Sequence, residues 1–151
     1  MLHRERGEMG ELVAAAELAK HGVGVAWPLG DELPFDLVLH WEGRLFRAQV
    51  KSARPAEGAV RFNLASQNST RYRKYTEADC DVMVLCDYER AYLLGPGDFS
   101  GRRGFTVRLG SARNGQVRGT HGREDYAVSP ERVEAVLGPS PGEAAPEGRP
   151  S

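Results

Sequence analysis

Apolar and polar positions alternate along residues 32–53, "ELPFDLVLHWEGRLFRAQVKSA", with the two-residue period of half-buried strands on either side of a Glu-Gly turn. Elsewhere the period changes. Between Glu5 and His21, Met9, Leu12, Val13, Ala16 and Ala19 recur at helical spacing, and Lys20, His21 and Gly22 supply a basic last turn and a glycine stop. This predicts an N-terminal helix with those residues as its buried stripe. "VGVAW" (23–27) predicts a short strand, "PLGDELP" a turn-rich connection, and "VRFNLA" (60–65) a further alternating strand. Residues 66–77, "SQNSTRYRKYTE", have no apolar period and read as a polar, basic loop. "DVMVLCD" predicts a strand buried on both faces, with "RAYLLG" as its partner. After "FTVRL", the dipeptide Asn114-Gly115 suits a two-residue hairpin turn, and "DYAV" reads as a late extended segment. "SPERVEAVL" is a short helix with Ser129 at its cap and Pro130 in its first turn. A helix, several strands and no internal repeat indicate α/β architecture bordering on α+β.

Composition narrows this picture. The 151 residues, 40% hydrophobic, suit one domain with a real core, expected over residues 1–137. The remainder, "GPSPGEAAPEGRPS", is poor in apolar residues and rich in Pro and Gly, so residues 138–151 are expected to form a disordered tail. No apolar run approaches the length of about 18 residues that a membrane span needs, and the N-terminal stretch lacks the apolar core of an export signal. A cytoplasmic protein is expected. Cys80 and Cys86 flank an apolar strand at a spacing that matches no zinc or redox motif, so they read as buried thiols. The net charge of −1 conceals a segregation: residues 100–123 carry six arginines and no acid, whereas residues 124–151 carry six acids against two arginines. A basic face of this kind is compatible with polyanion binding and equally with plain solvation.

The alternating ribbon holds the candidate chemistry. If Glu42 and Gly43 form the turn, Trp41 pairs with Arg44, and counting back along both strands sets Asp36 opposite Gln49. Opposed residues share a face, so Asp36, Gln49 and Lys51 meet there. A four-residue loop keeps this register; a three-residue loop breaks it. The other face, Phe35, Leu37, Leu39, Trp41, Phe46 and Val50, is expected to be core. Val38 and Leu45 on the Asp36 face imply a partial cover, for which the N-terminal helix is the candidate, and its Glu11 would then add a second carboxylate. Paired carboxylates, an amide oxygen and an ammonium match what a hard divalent cation and a phosphodiester require. In isolation, such a trio is more often a turn aspartate and a surface lysine.

The order and content of these stretches resemble the PD-(D/E)XK nuclease superfamily, in particular its branch of endonucleases encoded in group I introns. The blocks that carry the resemblance are "GELVAAAELAKHG", "PFDLVL", "FRAQVKS", "DVMVLCDYERAYLLGPGDF", "RLGSARNGQVRG" and "EDYAV", which together span Gly10 to Val128. The family pattern of a helical glutamate, a strand-borne aspartate and a paired strand ending in an acid or Gln, any residue, then Lys maps onto Glu11, Asp36, Gln49 and Lys51. Pro34 stands two positions before the aspartate rather than directly before it. Gln49 replaces the usual acid, as in the intron-encoded branch, which removes one negative charge from the metal pocket. The resemblance implies a restriction-endonuclease-like core, a mixed central sheet flanked by helices, with an extra C-terminal hairpin. It further implies a Mg²⁺- or Mn²⁺-dependent endonuclease acting on double-stranded DNA, site-specific as in homing, and working as a homodimer or homotetramer. Glu11, Asp36 and Gln49 would hold the metal, with Lys51 activating water or neutralising charge. Related expectations are a Holliday-junction resolvase or repair nuclease of the same fold, or a DNA-binding module without catalysis.

Other side chains are weaker candidates. Gln67, Asn68, Arg71, Tyr72, Arg73 and Lys74 combine groups that bond base edges with cations for phosphates, and Arg113 and Arg118 extend the basic set, with Arg102, Arg103 and Arg108 beside them. Glu8, one turn before Glu11, is its rival for the carboxylate role. His40 lies too far toward the turn to serve as a ligand, and His3, His21 and His121 read as surface residues.

Overall fold

The computed structural model describes residues 3–30, 32–67, 72–110 and 119–138. The chain begins with helix α1 (His3–Lys20), followed by strands β1 (Gly24–Ala26), β2 (Leu37–Trp41) and β3 (Arg44–Ser52). β4 (Ala59–Asn63), β5 (Ala65–Gln67), β6 (Tyr72–Lys74), β7 (Val82–Cys86) and β8 (Ala91–Leu94) come next. The one-turn helix α2 (Pro96–Phe99), β9 (Gly104–Arg108), β10 (His121–Gly122), the one-turn α3 (Arg123–Tyr126) and α4 (Pro130–Leu137) complete the fold. None of the described helices is long and apolar enough to cross a membrane.

The centre is a mixed five-stranded sheet in the order β1-β2-β3-β7-β8, in which β3 and β7 run parallel. Arg47 pins that pairing. Its Nη2 and Nε reach Asp81 Oδ1 and Oδ2 at 3.0 and 3.2 Å, and its backbone N–H donates to Asp81 Oδ2 at 2.7 Å. One face of the sheet is covered by α1 and α4, where Ala14, Leu18, Leu37, Leu39, Ala48, Val50, Val84, Leu93, Val133 and Leu137 form one core cluster. The other face carries the three-stranded sheet β10-β9-β4, and Met83, Leu85, Tyr92, Leu94, Val60, Phe62 and Phe105 form a second. β7 is buried at every position because both of its faces are covered, which is why its sequence is an unbroken apolar run. Cys80 and Cys86 are buried free thiols, as expected.

Several expectations change in the folded chain. Of the predicted stripe on α1 only Val13 packs against the core; Gly10, Ala14, Ala15 and Leu18 are buried, while Met9 and Leu12 are 42% and 62% exposed. Small residues win the inner face because they let the helix lie close on the sheet. The helix also covers the Leu37/Val50 face rather than the Asp36 face, and Phe35 joins the second core instead of the first. "VRFNLA" breaks at Leu64 into β4 and β5, and the supposed loop after it is a small antiparallel ribbon, β5 with β6. "DYAV" lies in and after α3, joined to β8 by a single bridge from Ala127 to Tyr92. His121 is half-buried in β10, stacked on Phe105 at 3.9 Å between centroids. The α1 C-terminus forms as expected: Gly22 has φ 82°, its N–H donates to Ala19 O at 3.1 Å, and Val23 N–H donates to Leu18 O at 3.1 Å. α4 is capped by Ser129, whose Oγ accepts from Arg132 N–H at 3.0 Å. Asp31, the Asn114-Gly115 turn and the C-terminal tail lie outside the described residues.

Candidate active site

The β2–β3 hairpin closes through Glu42 and Gly43, with φ of 49° and 77°, in the register Leu37↔Ala48 to Trp41↔Arg44. Asp36 lines the same cleft as Gln49 and Lys51 of β3. Asp36 lies just before β2, and its backbone holds it to β3: its N–H donates to Ala48 O at 2.8 Å and its Oδ2 accepts from Val50 N–H at 2.9 Å. Gln49 and Lys51 alternate with Ala48 and Val50, so they point away from α1, beside Met83 and Leu85 of β7. Gln49 is buried, and its Nε2 donates to Val50 O at 3.4 Å. Lys51 Nζ donates to Ala65 O at 3.4 Å and stands 4.9 Å from the centroid of the Tyr75 ring.

Glu11 arrives from the helix layer. Gly10 brings α1 down onto the end of β3, where a β-carbon on residue 10 would fall 1.9 Å from Ser52 Oγ and 3.0 Å from Ser52 Cβ. Glu11, Asp36, Gln49 and Lys51 therefore line one cleft of about 720 Å³, together with Arg6, Arg54, Asn63, Ser66 and Tyr88. Glu8 is exposed and does not line it. The Gly10→Ala variant should force the helix outward, lowering stability by about 1–3 kcal/mol in urea unfolding, the usual result of overpacking. Removing the hydroxyl with Ser52→Ala in the same chain should recover part of that loss.

Burial pushes the Glu11 carboxyl above its ordinary range, and the charge of Asp36 adds to this, against a hydrogen bond with the Trp27 side chain. Asp36 is raised by burial as well, opposed by the Val50 N–H and the Lys51 ammonium. Burial draws Lys51 downward, with Asp36 restoring part of its charge. The cleft thus holds two carboxylates whose ionisation burial disfavours, with the charge of Asp36 adding to this at Glu11, which is an electrostatic setting a cation relieves. Its donors are hard oxygens, suited to Mg²⁺ or Mn²⁺. No three His, Cys, Asp or Glu side chains gather as a metal-binding group among the described residues; the side-chain oxygens of Glu11, Asp36 and Gln49 share the cleft.

The remaining predicted residues fall elsewhere. Arg73 and Lys74 are exposed on β6, and the Arg73 guanidinium is paired with buried Asp79, so its charge is partly engaged by the fold. Gln67 and Tyr72 belong to the β5–β6 ribbon by their backbones. Asn68, Arg71, Arg113 and Arg118 lie outside the described residues. Arg102 and Arg103 are exposed, whereas Arg108 is half-buried with its Nε enclosed. Sequence reasoning missed Arg6, Arg54, Asn63, Ser66 and Tyr88 as cleft residues and Tyr75 as the platform under Lys51. No local period marks them, since each comes from a separate element brought to the end of β3 by folding.

No curated protein matches this chain. Among solved structures, a bacterial homing endonuclease, I-Ssp6803I, superposes with a TM-score of 0.66 at 25% identity, covering 84% of this chain and 89% of that one. Such a likeness extends to the mixed sheet and its flanking layers, well beyond the hairpin alone. The profile of the PD-(D/E)XK endonuclease family matches residues 1–129, the stretch that contains the whole cleft, and the chain belongs to that family.

Proposed function

We propose that this nuclease is a divalent-metal-dependent endonuclease that hydrolyses phosphodiester bonds in double-stranded DNA, site-specifically in the manner of a homing enzyme. The observation that carries this is the convergence of Glu11, Asp36, Gln49 and Lys51 on one cleft from three separate segments. Glu11, Asp36 and Gln49 would hold Mg²⁺ or Mn²⁺, and the cation, when bound, supplies Lewis acidity at the scissile phosphate and at the attacking water. Asp36 is oriented for this by the Val50 N–H on its Oδ2. Lys51 is held toward the same space by Tyr75 and the Ala65 carbonyl, where its Nζ can steady charge growing on the phosphate or exchange a proton with the attacking water. Exposed cations on β6 and near β9 would contact phosphates outside the cleft. A single chain of this length offers little surface for a long DNA target, so we expect a homodimer or homotetramer.

Supercoiled plasmid carrying candidate sites, incubated with Mg²⁺, with Mn²⁺ or with chelator, tests this reading. Nicking or linearisation with either metal and none in chelator is the expected result. DNA retained at low salt but left intact under every condition would replace the enzyme with a binding module, the reading that the amide at Gln49 favours.

A further inference from the structure

Tyr88 occupies a conformation that suits it poorly. It sits in the two-residue turn between β7 and β8, closed by the Asp87 N–H donating to Arg90 O at 3.1 Å, and its φ is 73°. A bulky aromatic residue in that region is a conformational outlier, and the strain is of a size that persists only where something else requires it. The other described non-glycine residues with positive φ, Glu42 and Glu57, each stand directly before a glycine in a turn. The turn itself does not need the ring. Asp87 Oδ1 already accepts from the N–H groups of Glu89 and Arg90, at 3.0 and 2.7 Å, and a glycine at position 88 would meet the same backbone demand without strain.

Two contacts of the ring are with residues that line the cleft. Its hydroxyl donates to Arg6 O at 3.4 Å, tying the turn to the first turns of α1, and the Arg54 guanidinium lies 5.0 Å from the ring centroid. Arg6, Arg54 and Tyr88 line the same cleft as Glu11, Asp36, Gln49 and Lys51. The Glu11 and Asp36 carboxylates of the cleft repel a phosphodiester until cations offset their charge. A guanidinium held over a phenol ring is restrained yet keeps N–H donors for a phosphate, which its planar fork can grip through paired hydrogen bonds.

Resting on the nuclease reading above, we propose that Tyr88 and Arg54 form a phosphate clamp on the cleft rim, seating the DNA backbone beside the bond to be cut. Tyr88 is a positioning residue: it acts through Arg54 and is retained in a strained turn for that purpose. The test reads DNA binding rather than cleavage, so that it fails separately from the nuclease reading. A labelled duplex of arbitrary sequence is titrated with wild type, Arg54→Ala, Arg54→Lys and Tyr88→Gly in chelator over a range of salt concentrations, and thermal unfolding is followed in parallel. Arg54→Ala should weaken binding about tenfold and reduce the slope of log K against log salt by about 1, as loss of one phosphate contact does. Arg54→Lys keeps the charge but loses the plane and should fall between. Tyr88→Gly should unfold at an equal or higher temperature than wild type while binding DNA nearly as weakly as Arg54→Ala. The clamp is overturned if Arg54→Ala keeps the wild-type affinity and salt slope. It is overturned equally if Tyr88→Gly is less stable than wild type, since the ring would then serve the fold. A wild type that cuts DNA beside variants that bind like it removes the clamp and leaves the nuclease; a wild type that never cuts, beside variants with weakened binding, does the reverse.

Discussion

Lys51→Ala should leave a folded, DNA-binding protein whose cleavage rate has fallen by about a hundredfold to ten-thousandfold, the range that one positioned proton-transfer or charge-stabilising group supplies. Lys51 lines the open cleft, and the two contacts that hold its Nζ inward are with the Ala65 carbonyl and with the Tyr75 ring at the border of the second core. Truncation therefore removes an ammonium from the cleft without opening a large cavity. Its half-buried position draws the Lys51 pKa down, so the group is nearer to giving up its proton than a surface lysine. Lys51→Arg separates the two chemical roles. A guanidinium retains the positive charge but does not deprotonate, so activity largely preserved in that variant would assign charge stabilisation, and activity lost as fully as in Lys51→Ala would assign proton transfer. Single-turnover cleavage of a bound duplex is the measurement, with affinity in chelator as the control. Wild-type rates from Lys51→Ala would remove this residue from the chemistry.

Asp36→Asn should produce the opposite pairing of effects: a more stable apoprotein and a nearly inactive one. The amide oxygen can still accept the Val50 N–H that Asp36 Oδ2 accepts at 2.9 Å, so the backbone junction before β2 survives. What disappears is a buried negative charge. Because burial raises the Asp36 pKa in the folded chain, the stability linked to this group is fully present below the ordinary aspartate value and is lost as pH rises through the raised one. At neutral pH the wild type without metal carries that penalty, and Asp36→Asn should melt higher in chelator, with the advantage shrinking as the pH drops toward 4. Adding Mg²⁺ should reverse the order. A cation that binds only the folded state stabilises the wild type by RT ln(1 + c/Kd) at free Mg²⁺ concentration c, so its melting temperature climbs with added metal, and the variant, which under the proposed ligation keeps only the Glu11 carboxylate, should respond little. Its cleavage should fall by about a thousandfold or more. An Asp36→Asn protein that shows the wild-type Mg²⁺ dependence of melting would mean the cation sits elsewhere.

Much of the site could be read before folding was considered. The hairpin register from Leu37↔Ala48 to Trp41↔Arg44 follows from a period of two and a Glu-Gly turn, both local, and it sets which side chains of β2 and β3 share a face whatever layer packs on them. The helix carrying Glu11, its glycine stop, the doubly buried β7 and the Ser129 cap are local in the same sense. The choice of inner face on α1 was not. The stripe of Met9, Leu12, Val13, Ala16 and Ala19 fits helical spacing as well as the side that is buried, and the outcome depended on how close the sheet lets the helix come, which favours Gly10 and Ala14.

Alternation along the chain therefore determined the strands, the turn and which side chains share a face, because those depend on the backbone over a few residues. Which layer covers each face, the entry of Glu11 over the end of β3, and the meeting of Arg54 with Tyr88 were decided by tertiary packing. Those contacts join residues 34 or more positions apart through layers that no local period encodes.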